Sequence, residues 1–152
     1  MPVRFSAVAT YGVKAMVDLA LHEGQGPIPT AAIAKRHAIS TDCLEQVLHR
    51  LRRAGLVAAA RGARGGYQLS RRPAQVSVAD IAHALEAPPR RRPRPAARAS
   101  GEAVDQVTSA VWTRIETAVT TALATTSLAE LAAEARRRQT HHAVNHTFTF
   151  YI

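Results

Sequence analysis

The sequence holds a single cysteine, Cys43, in 152 residues. That excludes an intrachain disulfide and a multi-cysteine metal knuckle, and it points to a reducing compartment such as the cytoplasm. No apolar run approaches the length of a membrane span. The apolar stretch from Phe5 to Leu21, with Arg4 ahead of it, has the outline of a signal peptide, but Lys14 and Asp18 interrupt it. Val8, Tyr11, Ala15 and Leu19 fall at helical spacing with Met16 and Ala20 beside them, so a packed first helix accounts for the run better. Also lacking are a nucleophile, base and orienting acid in a recognisable motif, and a phosphate-cradling loop between a strand and a helix, which argues against an enzyme. Lysine is scarce too, with 18 Arg against 2 Lys, a bias that a GC-rich genome also produces.

What is present is positive charge, unevenly placed. The formal net charge is +9; residues 1–98 carry 16 Lys+Arg against 6 Asp+Glu, and residues 99–152 carry 4 against 5. Such an excess suits a surface that displaces counterions from phosphate, although charge alone equally suits RNA or an anionic membrane. The length fits a small domain plus a dimerisation element.

The basic part contains a compact run of helix and turn signals. Leu44, Val47, Leu48 and Leu51 sit at i, i+3, i+4 and i+7, an apolar stripe that faces a core. The opposite face carries Thr41, Asp42, Glu45, Gln46, His49, Arg50 and Arg53, groups whose size and chemistry suit base edges and phosphates in a major groove. Ser40 is placed to cap this helix, leaving its free N–H groups for a phosphate. Before it, Thr30 is placed to cap a helix over residues 31–36 with Ile33 inward, and His37 to Ser40 form a turn of the length a helix-turn-helix uses. After Gly55, a C-cap candidate, residues 56–60 and 67–69 read as short strands around a loop with Arg61, Gly62, Arg64, Gly65 and Gly66. Helix, turn, helix and hairpin in that order describe a winged helix: mostly α with a small β wing. The three glycines allow close approach to a groove while Arg61 and Arg64 supply charge. Thr30, Ser40, Thr41, Asp42, Glu45, Gln46, His49, Arg50, Arg53, Arg61, Arg64 and Gly65 form the candidate DNA-binding set.

Ser77 and Asp80 read as a capping box opening a helix in which Val78, Ile81, Ala82 and Leu85 share a face that packs back on the winged helix. Residues 87–101 hold four prolines and five arginines and read as a linker, either an arm along the DNA backbone or a solvated loop. From Glu102 to Thr125, Val104, Val107, Val111, Ile115, Ala118 and Ala122 recur every three or four residues on a helix about 35 Å long. With no large partner left in the chain, this stripe predicts a homodimer. Ser127 and Glu130 form a second capping box, opening a final helix expected to end at Arg136, Arg137 and Arg138, against its dipole. Residues 147–152 alternate at strand spacing. The expected organisation is thus a DNA-binding domain over 1–86, a linker over 87–101, and a dimerisation helix and tail over 102–152.

Residues 9–15 (ATYGVKA), 39–57 (ISTDCLEQVLHRLRRAGLV), 61–69 (RGARGGYQL) and 78–86 (VADIAHALE) resemble the Rrf-two family of bacterial winged-helix regulators, closely over about residues 4–86. The resemblance implies a homodimer on a dyad-symmetric operator, with the second helix of the motif in the major groove and the wing in the adjacent minor groove. It implies groove or phosphate contacts for Ser40, Thr41, Asp42, Glu45 and Gln46, and wing contacts for Arg61 and Arg64. Many members hold an iron–sulfur cluster on three cysteines in the loop before the dimerisation helix. Here that loop has none. The expectation is a cluster-free member with no cofactor, whose signal is a small molecule, a protein partner, or absent. Cys43 gains little thiolate stabilisation beside Asp42 and Glu45, so it reads as a packing or contact thiol rather than a redox switch. His141, His142 and His146 lack a carboxylate or thiol partner nearby, so no metal site is assigned. The leading reading is a sequence-specific DNA-binding transcriptional regulator, a repressor; the alternatives are a winged-helix protein-interaction adaptor and a non-specific nucleic-acid binder.

Overall fold

The computed structural model describes residues 6–86 and 102–147, and the side chains of residues 6–86 and 103–140. Helix α1 (Ala7–Leu21) is capped by Ser6, whose Oγ accepts from the Ala9 amide at 3.1 Å. Helices α2 (Thr30–His37) and α3 (Thr41–Arg53) follow, then an antiparallel hairpin of β1 (Val57–Ala60) and β2 (Gly66–Leu69) with Val57 opposite Leu69. A 3-10 turn (Pro73–Gln75) leads to α4 (Val78–Leu85), and α5 (Glu102–Thr125) and α6 (Leu128–Thr147) complete the chain. This is a winged helix-turn-helix with a long helix behind it.

One core joins these elements. Met16 and Leu19 of α1, Ile33 of α2, Leu44, Leu48 and Leu51 of α3, Val57 of β1 and Ile81 of α4 are buried together. Gly12 lies directly against the Leu85 side chain, where an added Cβ would not fit, so α1 and α4 meet through a glycine. The hairpin gains a third member that periodicity does not reveal: Ile28 exchanges both backbone hydrogen bonds with Tyr67, at 2.8 and 2.9 Å. Gly66 sits against the Ile28 carbonyl at that crossing.

Three boundary expectations need correction. Thr30 does not cap α2: Pro29 occupies the N-cap in extended geometry (φ −61°, ψ 140°) with no side-chain bond, and Thr30 is the first helical residue. The proline ring holds the chain extended, and the helix begins directly after it. The final helix does not end at Arg136–Arg138 but continues to Thr147. Arg137 and Arg138 pair instead with Glu134, one turn back, at 2.6 and 2.7 Å, and no glycine or proline follows to stop the helix. The third concerns where the last helix belongs. Leu128 and Ala132 of α6 enter the same core as α1, and Arg136 donates to the Ala20 carbonyl at the C-terminal end of α1 at 3.2 Å. The start of α6 is therefore part of the winged-helix body, and α5 is the element that stands apart.

Both capping boxes form. Ser77 and Asp80 exchange amide-to-side-chain bonds at 2.8 and 3.1 Å, and Ser127 and Glu130 do so at 2.9 and 3.2 Å. They lie side by side, because the Val78 amide donates to Thr126 O and the Leu128 amide to Val76 O. The Ser77 amide and hydroxyl, with Arg71 and His83 adding smaller charge effects, hold the Asp80 carboxyl below its usual range. The segment 87–101 and residues 148–152 lie outside the described residues.

Candidate nucleic-acid interface

The interface begins with how α3 is held. Ser40 Oγ accepts from the Cys43 amide at 3.3 Å, so the cap expected from the sequence forms. The turn before it is made by Ala38 in the left-handed region (φ 53°), which brings the amides of Ala38 and Ile39 onto the Ala34 carbonyl. A non-glycine residue there stores strain of about 1–2 kcal/mol, offset by burial of Ile39 on the other side of the turn. Helix α2 is in turn pinned to α1 by a charge that the sequence did not advertise. Asp18 is 3% exposed, and Arg36 closes on it with Nε 3.1 Å from Oδ1 and Nη2 2.6 Å from Oδ2. His22 Nδ1 lies 2.7 Å from the Asp18 carbonyl oxygen, and His37 Nε2 is 3.6 Å from Asp18 Oδ1. A buried carboxylate is costly unless paired, and this fork supplies the pairing between α1 and α2.

With its apolar stripe sealed, α3 presents the opposite face. Thr41, Asp42, Glu45, Gln46, His49, Arg50 and Arg53 are all exposed, and six of them, from Asp42 to Arg53, line one shallow groove. The acidic groups sit at the N-terminal end of the helix and the arginines at the C-terminal end, each the favourable partner of the local dipole. Carboxylates repel phosphate but accept from the amino group of cytosine, and an amide side chain pairs with adenine, so the Asp42, Glu45 and Gln46 end suits base edges. Arg50 differs from its neighbours: its Nη1 donates to the Leu85 carbonyl at 2.9 Å. Cys43 is half-buried and packs on the core.

The wing carries Arg61 and Arg64, both exposed. Its turn closes through the Gly65 amide on the Gly62 carbonyl at 2.9 Å, with Gly62 at φ +112°. A Cβ on Gly65 would meet the Ala60 carbonyl oxygen at 2.6 Å. Gly65 is therefore required by the shape of the loop itself, and its role is to hold the two arginines at the tip. Thr30 is half-buried at the start of α2.

These features coincide with known proteins. A family model, Rrf2, described as an iron-dependent transcriptional regulator, matches residues 5–134. The chain belongs to the Rrf2 family. Among individual Rrf2 relatives, the HTH-type transcriptional regulator IscR of Aliivibrio salmonicida is 42% identical over 84 residues, 55% of this chain and 50% of that protein. IscR of Sodalis glossinidius is 44% identical over 84 residues, 55% of this chain and 51% of its own length. The chain spans about half the length of the curated relatives it matches. Among solved structures, T. potens IscR superposes with a TM-score of 0.76 at 36% identity, covering 91% of this chain and 93% of that one. CymR, the global cysteine regulator of B. subtilis, gives 0.72 at 35% identity, covering 87% and 98%. These relatives are transcriptional regulators, not enzymes, and the fold expected from the resemblance is the fold observed.

The family's description as iron-dependent invites a test of this chain's donors. Iron–sulfur clusters are held chiefly by thiolates, and the only thiol is Cys43, half-buried on α3. Among the described residues no three His, Cys, Asp or Glu side chains are grouped to hold a metal. His141, His142 and His146 lie in the last turns of α6, with side chains outside the described residues. The residues present do not fit a cluster. Nor is any described helix long and apolar enough to cross a membrane.

Proposed function

We propose that this Rrf2 protein binds duplex DNA as a homodimer on a dyad-symmetric operator and represses transcription there, without a resident cofactor. The observation that carries the reading is the outward face of α3, capped by Ser40 and flanked by a wing with two exposed arginines. In this reading Thr41, Asp42, Glu45, Gln46 and His49 meet base edges in the major groove, while Ser40 and Arg53 meet phosphate. Arg61 and Arg64 enter the neighbouring minor groove, and Gly65 shapes the loop that carries them.

The homodimer is supported by α5, whose Val104, Val107, Val111, Trp112 and Ile115 remain exposed. An apolar stripe of that size on a helix is normally covered, and a second copy is self-complementary to it. Two such copies read half-sites about one helical turn apart, or a multiple of it. Repression needs only that the dimer occlude an overlapping promoter, which asks nothing of the protein beyond tight binding. Selection of duplexes from a random-sequence pool, with sedimentation of the complex, tests this directly. The expected outcome is an inverted repeat bound by two chains; an asymmetric motif bound tightly by one chain would overturn it.

A further inference from the structure

The C-terminal end of α4 is a junction of three helices. The Leu85 carbonyl, one of the groups a helix terminus leaves unpaired, receives Arg50 Nη1 from α3 at 2.9 Å. A cation is the partner that a helix C-terminus favours. The next residue, Glu86, accepts through Oε1 from the Ser6 amide at 3.0 Å and the Ser6 hydroxyl at 2.8 Å, at the N-cap of α1. The Leu85 side chain meanwhile rests on Gly12 in the body of α1. Two consecutive residues thus bind α3, α4 and α1 together at the point where the chain departs for residues 87–101.

Among the described residues lining the α3 groove, Arg50 alone has a hydrogen bond to another element of the chain. We propose that Arg50 is a positioning residue: through the Leu85 carbonyl it fixes the angle at which α3 is presented, and it is not itself a DNA contact. Packing of Leu44, Val47, Leu48 and Leu51 holds α3 against the core. A directional, charge-assisted bond from the last turns of α3 to the Leu85 carbonyl adds a restraint at the outer, solvent-facing side of the helix, where the core makes no contact. Gln46 and Glu45, one turn before Arg50, are the side chains whose placement depends on it.

This inference rests on the DNA-binding reading. It is tested with the full chain and a duplex selected by the wild type, measuring affinity against salt concentration for Arg50→Met, Arg50→Lys, Arg53→Met and Glu86→Ala. Arg50→Met is expected to lose at least about tenfold in affinity for the selected duplex while its affinity for random DNA and its salt slope stay at the wild-type values. Arg50→Lys, which still offers a cation to Leu85, is expected to recover most of the loss. Arg53→Met should lower the salt slope by about one instead, as loss of a phosphate contact does. Glu86→Ala, which cuts the tie from this junction to Ser6 and leaves Arg50 in place, should reproduce a smaller version of the Arg50→Met defect, which keeps the inference testable if Arg50→Met folds poorly. A slope for Arg50→Met lower by about one, or Arg50→Met and Glu86→Ala binding like wild type, overturns the positioning role alone. A wild type that selects no duplex overturns the DNA-binding reading and the positioning role together.

Discussion

On α3, Leu44, Val47, Leu48 and Leu51 are at most 1% exposed, whereas on α5, Val104, Val107, Val111, Trp112 and Ile115 are 41–69% exposed. Both helices carry an apolar stripe at helical spacing, and among the described residues only the α3 stripe is covered. The difference is one of topology: α3 is enclosed by α1, α2, β1 and α4, while α5 touches the body mainly through α4 near its end. The winged-helix body, with the start of α6 in its core, encloses its apolar side chains, whereas α5 leaves its stripe open among the described residues; the homodimer proposed above would cover it.

The largest effect should come from breaking the enclosed stripe. Leu48→Ala removes a fully buried side chain from the centre of α3, and denaturant melts should show a loss of about 2–5 kcal/mol. The matching truncation on the exposed stripe, Val104→Ala, should change the stability of the dilute monomer by less than about 0.5 kcal/mol. Equal losses from the two would mean that α5 is covered within its own chain. Next in size is a charged pair on α5: Val107→Asp with Val111→Asp should leave the helical circular dichroism intact and raise the dimer Kd by about a hundredfold or more, about 3 kcal/mol. Sedimentation unchanged by both substitutions would move the interface elsewhere.

The outward face of α3 offers a smaller, sharper probe. Gln46→Ala touches none of the core, so melts should not move, but affinity for the selected duplex should fall by about 1–3 kcal/mol with little change on random DNA. Equal weakening on both would remove Gln46 from base readout. Smaller still is the acid response of the α4 cap. The folded carboxyl of Asp80 titrates below the ordinary aspartate range because the Ser77 amide and hydroxyl donate to it. A depressed folded value means that the cap stabilises fully above about pH 4 and that this contribution is lost as pH falls through the lower folded value. Ser77→Ala, which costs about 0.5–2 kcal/mol as a lost N-cap, removes the hydroxyl donor and keeps the amide, so it should flatten part of the acid limb of the stability curve below about pH 4, and Asp80→Asn should flatten more of it; a limb unchanged in both would assign it to other carboxylates.

What could be read from sequence, and what could not, divides along chain distance. The Ser40 cap, both capping boxes, the α3 stripe and the open α5 stripe depend on residues within a turn or two of each other, and spacing alone reveals them. The Asp18–Arg36 fork joins residues 18 apart, Arg50 reaches Leu85 35 positions on, and Arg136 reaches Ala20 116 positions back. Nothing in local periodicity marks those pairs. Asp18 reads as an interruption of an apolar run until the fold brings Arg36 over it. In the same way Arg136–Arg138 resembles a helix terminus, since cations favour one, but pairing with Glu134 and the absence of a breaker let the helix continue. At the interface, the exposed face of α3 was legible as a set; that Arg50 leaves the set was not.

The last prediction concerns iron, where the expected effect is none. A cluster needs several thiolates at one place, and this chain offers Cys43 alone, on the helix proposed to enter the groove and half-buried against the core. Two copies cannot pool their thiols while bound to an operator, because the recognition helices of such a dimer sit about 34 Å apart. Protein purified without oxygen should therefore show no visible absorption, and its affinity for the selected duplex should change by less than about twofold after exposure to an iron chelator. Stoichiometric iron and sulfide, with an absorption band that disappears on nitric oxide treatment, would sink the idea. The comparison between the two regions would then change as well, because a cluster without cysteines in residues 87–101 would have to draw on histidines and carboxylates, and the histidines of the last turns of α6 would be the first to substitute.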